Sequence, residues 1–185
     1  MMRTTDLLLL TYAAFDGVVK GSTNLQKKIY FLSIMLNIDL GYNAHYYGPY
    51  SSPVAASNRE LKSLGYLRES VASVGAYNAQ GFEVARHDFE LTEDGWIVAR
   101  IAQRQYPDLW KRLQEAAVGL QAAGDLNYVE LSLAAKSYFL LANKGAAAHS
   151  TELVAMARRF GWSVTEEEIE KAITFLERLD LATRN

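Results

Sequence analysis

The sequence predicts an α+β protein, mainly helical, with a winged helix-turn-helix unit over residues 1–104. A helical unit over residues 105–185 follows it without a flexible linker. Three observations point there. Helical periodicity of apolar residues runs through most of the chain. After Gly65 it gives way to a β-branched and aromatic stretch, VASVGAYNAQGFEVARHDFEL, broken by YNAQG as a hairpin is. The resulting order is helix, helix, connector, helix, two-stranded wing, helix.

Thr4 or Thr5 caps the first helix, and Asp6 sits in the first turn, where a carboxylate meets the positive end of the helix dipole. Leu7, Leu8, Tyr12 and Phe15 give a packed face, which Leu9 and Leu10 widen beyond that of a surface helix. Gly17 and Gly21 bracket the stop. In GSTNLQKKIYFLSIMLN, Thr23 with Gln26 reads as a capping box, and Leu25, Ile29, Leu32 and Leu36 recur at helical spacing. Lys27 and Lys28 fall on or beside the polar face of that second helix.

Residues 41–53, GYNAHYYGPYSSP, form a rigid connector with four tyrosines. Pro49 pushes Gly48 out of helical dihedrals, and Ser52-Pro53 opens a third helix, a hydroxyl cap followed by proline at the first helical position. That helix runs from Pro53 to Leu64, with Val54, Leu61 and Leu64 inward and Ser57, Asn58, Arg59, Glu60 and Lys62 toward solvent. Gly65 supplies its left-handed exit.

The hairpin strands lie near Arg68–Ala76 and Phe82–Leu91, with Gly75 and Gly81 weakening both arms. Thr92 caps the next helix, with Glu93 and Asp94 in its first turn. Tyr106-Pro107-Asp108 opens a further helix ending by Gly124, and residues 126–143 repeat Leu131, Ala135, Tyr138 and Leu141 at helical spacing. Ser150 caps TELVAMARRF, which Gly161 stops. Thr165 with Glu168 is the cleanest capping box, ahead of Ile169, Ala172, Ile173, Leu176 and Leu179. The ending FLERLDLA echoes ELKSLGYL at 60–67, so the second unit reads either as a degenerate second helix-turn-helix or as a plain helical extension.

Composition bounds the function. With 185 residues, half of them hydrophobic, the chain can bury a substantial core. The absence of cysteine excludes disulfides, thiol catalysis and thiolate metal sites. Asp6 and Asp16 flank Leu7–Leu10 too closely for a signal peptide, and no apolar run is long enough to span a bilayer, so a cytoplasmic protein away from membranes is expected. A net charge of -2 excludes a polycationic nucleic-acid coat. Residues 1–70 carry seven basic and five acidic side chains, whereas 71–118 carry five and seven and 119–185 seven and nine. Nucleic acid, if bound, belongs to the first segment.

LQKKIYFL at 25–32, HYYGPYSSPV at 45–54, ELKSLGYLRE at 60–69 and FELTEDG at 89–95 carry a family likeness. The chain resembles the YwgA-like winged-helix proteins of prokaryotes and, more loosely, is similar to the SocA-like Panacea antitoxin domain. The first resemblance implies a fold. The second implies a protein partner such as a toxin.

Catalytic motifs are missing. His45, His87 and His149 stand far apart, and there is no HExxH, GxSxG or glycine-rich phosphate loop, so no enzyme, cofactor or metal is expected. The acidic run Glu166–Glu168 is a favourable helix front. The expected function is DNA binding, as in a transcriptional regulator acting as a homodimer on double-stranded DNA. Ser57, Asn58, Arg59 and Lys62 on the third helix would read bases, since Arg can read guanine and Asn adenine. Lys27 and Lys28 would position the backbone, with Tyr47 and Arg86 adding contacts. The alternative is a protein-interaction module, an antitoxin or adaptor, that binds no DNA. Tyr46, Tyr47, Tyr50 and Pro49 have two readings: rings that pin the second helix to the third, or a contact surface. Tyr47 and Pro49 are expected to fix the angle between those helices.

Overall fold

Helix α1 (Thr4–Ala14) is apolar on every side because it is covered on every side: Leu7, Leu8, Leu9, Leu10 and Tyr12 are all buried. The computed structural model describes residues 2–77, 83–124 and 127–183. After α1 come β1 (Val18–Lys20), α2 (Ser22–Leu36), α3 (Ser52–Ser63), β2 (Leu67–Tyr77), β3 (Glu83–Leu91) and α4 (Glu93–Gln105). Four helices follow: α5 (Pro107–Ala123), α6 (Tyr128–Lys144), α7 (Ser150–Arg159) and α8 (Glu166–Glu177). The protein is α+β and mainly helical, with one small antiparallel sheet of strand order β1-β3-β2.

β1 has no counterpart in the sequence reading. Three residues are too few to display a period, yet Val19 is buried between exposed Val18 and Lys20, and β1 pairs with β3 through Val19 opposite Phe89. Positive φ at Gly17 and Gly21 lets the chain turn into and out of it. β2 and β3 pair from Leu67 opposite Leu91 outward, as the hairpin reading expects. The turn after Tyr77, the start at Phe82, Gly81 and the start at Leu126 lie outside the described residues.

Several caps differ from expectation. α1 begins at Arg3, whose backbone N–H donates to Asp6 Oδ2 at 3.0 Å, rather than with a threonine cap. α2 starts from Gly21, so Thr23 and Gln26 form no capping box there. Ser51, not Ser52, caps α3, its hydroxyl accepting the Val54 N–H at 3.2 Å with Pro53 in the first turn. His149 rather than Ser150 precedes α7. Thr92 and the Thr165–Glu168 box cap α4 and α8 as expected.

The largest core cluster runs from α1 and α2 through the sheet to α5, α6 and α8. A smaller one gathers Leu140, Leu153, Ala157, Trp162, Val164 and Ile169 beneath α7. The first turn of α4 passes so close to the chain after α3 that a Cβ on Gly95 would stand 2.1 Å from the Tyr66 carbonyl oxygen. Among the described residues no helix is long and apolar enough to cross a membrane.

Candidate binding site

The connector between α2 and α3 is held by α2 through reciprocal bonds. Gln26 Nε2 donates to the Ser51 carbonyl and Ser51 N–H donates to Gln26 Oε1, both at 3.0 Å. Ser51 Oγ donates to the Leu40 carbonyl at 2.6 Å, and the Tyr42 hydroxyl donates to the Gln26 carbonyl at 2.9 Å. Lys27 Nζ donates to the Pro49 carbonyl at 2.7 Å. From the far end of the chain, Trp162 Nε1 donates to the His45 carbonyl at 2.7 Å. So fastened, the connector turns Tyr46 and Tyr47 outward, 71% and 58% exposed, with the rings edge to face and their centroids 4.8 Å apart.

Between the connector, the start of α2, α3 and the hairpin lies a pocket of about 400 Å³. Leu25, Ala55 and Phe89 give it apolar wall; Tyr47, Tyr50 and His45 give it aromatic wall. Lys27, Asn58, Arg59 and Lys62 reach it from the helices, and Glu69 and His87 from the strands. Glu69 ties its side together: Lys62 Nζ donates to one carboxylate oxygen at 2.6 Å, and His87 Nδ1 hydrogen-bonds the other at 2.7 Å. Those two bonds, the Lys62 bond first, hold the Glu69 carboxyl below the ordinary carboxylate range.

Five of the eight residues expected at a DNA surface therefore line one concave pocket: Lys27, Tyr47, Asn58, Arg59 and Lys62. Their environments differ from expectation. Lys27 is 2% exposed rather than on a polar face. Burial, with Lys136 as the lesser cause, pushes its pKa down to about 7. Lys28 packs over the Phe15 ring, its ammonium 4.1 Å from the centroid. Ser57 and Asn58 are buried rather than turned to solvent, and Asn58 Oδ1 accepts the Tyr12 hydroxyl at 2.7 Å. Arg59 and Lys62 are exposed, as expected. Leu64, expected inward, is 55% exposed because α3 ends before it. Arg86 lies on β3 outside the pocket, bound twice by Asp88 at 2.8 and 2.9 Å. The Tyr47 ring, expected to be buried between α2 and α3, is 58% exposed, whereas the Pro49 carbonyl is held by Lys27 of α2.

The sequence reading has no place for Gln26 and Glu69 at a site, whereas Tyr50 is among its candidate contact tyrosines and His87 lies on its wing beside Arg86. Glu69 pairs opposite Phe89 and His87 opposite Val71, so the two are diagonal neighbours on one face. Register alone would have brought them together, but register depends on the length of the turn. Among the described residues no cluster of three His, Asp or Glu could hold a metal ion. The pocket presents cations, aromatic rings and hydroxyls together with the hydrogen-bonded Glu69–His87 pair.

No family model matches the chain. It is 32% identical over 95 residues to "Uncharacterized protein YwgA" of Bacillus subtilis (strain 168), a stretch covering 51% of this chain and 53% of that protein. The chain thus spans about half the length of the curated relative it matches, and the YwgA-like resemblance read from its motifs holds over that half.

Proposed function

We propose that this chain is a protein-interaction module: a winged-helix unit over residues 1–104 braced by the helical unit 105–185, with the tyrosine connector as its contact surface. One observation carries the reading. Tyr46 and Tyr47 expose their rings on a connector whose carbonyls are held by the side chains of Lys27 in α2 and of Trp162. Tyrosines held out on a rigid support are the residues that anchor protein interfaces, because they bury large area while losing little conformational freedom. An antitoxin-like or adaptor role fits such a surface.

The charges weigh the same way. Phosphate contacts need free cations. Here Lys27 is buried, Lys62 is paired with Glu69, Arg68 with Glu90 at 3.3 Å and Arg86 with Asp88.

A DNA-binding regulator, as a homodimer, is the second reading. It is favoured by Arg59, exposed on α3, and by the packing of α3 against α1 and β2, which leaves that side of the helix open. The test sets the two readings against each other. A photo-crosslinking residue is placed at Tyr46, Tyr47 or Arg59 in the native host, and the adducts are identified by mass spectrometry. The interaction reading expects one protein, reproducibly captured from Tyr46 and Tyr47. In parallel, the purified protein is selected against random duplexes. A duplex bound tightly at near-physiological salt, with affinity lost on Arg59→Ala, would overturn the interaction reading.

A further inference from the structure

The deepest charge in the pocket has no counter-ion. Lys27 is almost fully buried, and its ammonium donates to a single neutral acceptor, the Pro49 carbonyl. The other charge near it is Lys136 of α6, against which it packs across Gly48: a Cβ on Gly48 would lie 3.1 Å from the Lys136 stem and 3.4 Å from Lys27 Nζ. An ammonium taken out of water is unfavourable unless an anion or several carbonyls replace the solvent. Here one carbonyl does so, and two donor positions on the ammonium remain.

In the rest of the pocket cations outnumber carboxylates, with Arg59 and Lys62 against Glu69. Arg59 reaches it from α3 and has no ion-pair partner among the described residues, whereas Lys62 is neutralised by Glu69. The first turn of α2 reaches the rim through Ser22 and Thr23, beginning at Gly21, which offers no side chain as a cap. Hydroxyls and main-chain N–H groups at such a helix start favour an anion. Opposite in character, Leu25, Ala55 and Phe89 supply an apolar wall, and about 400 Å³ is room for a small molecule rather than a bare ion.

We infer that the pocket binds a small aromatic anion, its carboxylate or phosphoryl group meeting Lys27 and Arg59 and its flat body lying on the Leu25, Ala55 and Phe89 wall. The site adjoins the contact surface proposed above and shares Tyr47 with it, whereas Tyr46 lies outside the pocket and Lys27 and Arg59 are not part of that surface. Either assignment can fail without the other. Burial lowers the Lys27 pKa to about 7, and an anion beside the ammonium would raise it again.

The test is a titration of the full-length chain by calorimetry and ligand-observed NMR. Phenyl phosphate and benzoate are the aromatic anions, benzyl alcohol has the ring without the charge, and inorganic phosphate has the charge without the ring. The expectation is that one of the aromatic anions binds at least about tenfold more tightly than either control, with the better one identifying the head group. Lys27→Met and Arg59→Gln should each weaken that binding by about tenfold. Arg59 is exposed, so its variant carries the test if Lys27→Met does not fold. Neither aromatic anion exceeding benzyl alcohol, inorganic phosphate matching phenyl phosphate, or Arg59→Gln binding as tightly as the parent would each overturn the assignment.

Discussion

The Tyr12 hydroxyl donates to Asn58 Oδ1 at 2.7 Å, and this buried bond joins α1 to α3 across 46 positions of sequence. It explains why an asparagine on a short, polar helix points inward. Burial raises the Tyr12 pKa, so the ring stays a neutral donor throughout the ordinary pH range.

Removing one partner strands the other. Tyr12→Phe should lower stability by about 1–3 kcal/mol, because Asn58 Oδ1 is then buried without a donor. Asn58→Ala should cost a similar amount, and the double variant less than their sum. Urea unfolding of the three variants checks this. Strict additivity would show that the bond does not couple the helices.

Lys27 gives a pH signature. Its pKa is about 7 in the folded chain against an ordinary 10.5, so between those values the unfolded chain binds the extra proton. Stability contributed by this group therefore rises with pH from about 7 to 10, by at most ~1.4 kcal/mol per unit, and is level below 7. Lys136 and Lys28 are lowered as well, so the comparison with Lys27→Met isolates the residue. From pH 7 to 9 the parent should gain roughly 1–3 kcal/mol more than the variant in denaturant unfolding. Parallel profiles would mean that Lys27 keeps its proton when buried.

Tyr47→Ala should change stability by less than about 0.5 kcal/mol, since its ring stands in solvent. The same variant should lose the partner captured at the connector. Thermal unfolding and a repeat capture measure the two effects separately. A large loss of stability would put the ring back among the helix-fixing residues.

Gly95→Ala tests the close approach of α4 to the chain after α3. In a free helix alanine would be favoured by up to about 1 kcal/mol. Here the added Cβ meets the Tyr66 carbonyl, so a loss of about 2–3 kcal/mol is expected instead. The sign of the change, read from the denaturation midpoint, decides whether α4 can shift away from the strand.

The helices were legible because periodicity is local: Leu25, Ile29, Leu32 and Leu36 declare α2, and Thr165 with Glu168 declares the start of α8. Caps made by Arg3 and Gly21 were not legible, since neither side chain is a usual hydrogen-bonding cap. The site was half legible. Its residues were picked out by type, but type does not say which way a mixed face turns. Ser57 and Asn58 turn inward because α1 supplies Tyr12, and Lys27 is enclosed because the connector folds back over it. The pocket depends on those long-range meetings and on a hairpin register that aligns Glu69 with His87.

The indole of Trp162 grips the carbonyl of His45, 117 positions earlier in the chain. The rim of the pocket is thereby tied to the segment between α7 and α8. Displacing Trp162 would release the His45 carbonyl, and with it one fastening of the connector that carries the paired tyrosines. The connector is thus an element shared by the mouth of the site and the chain between α7 and α8.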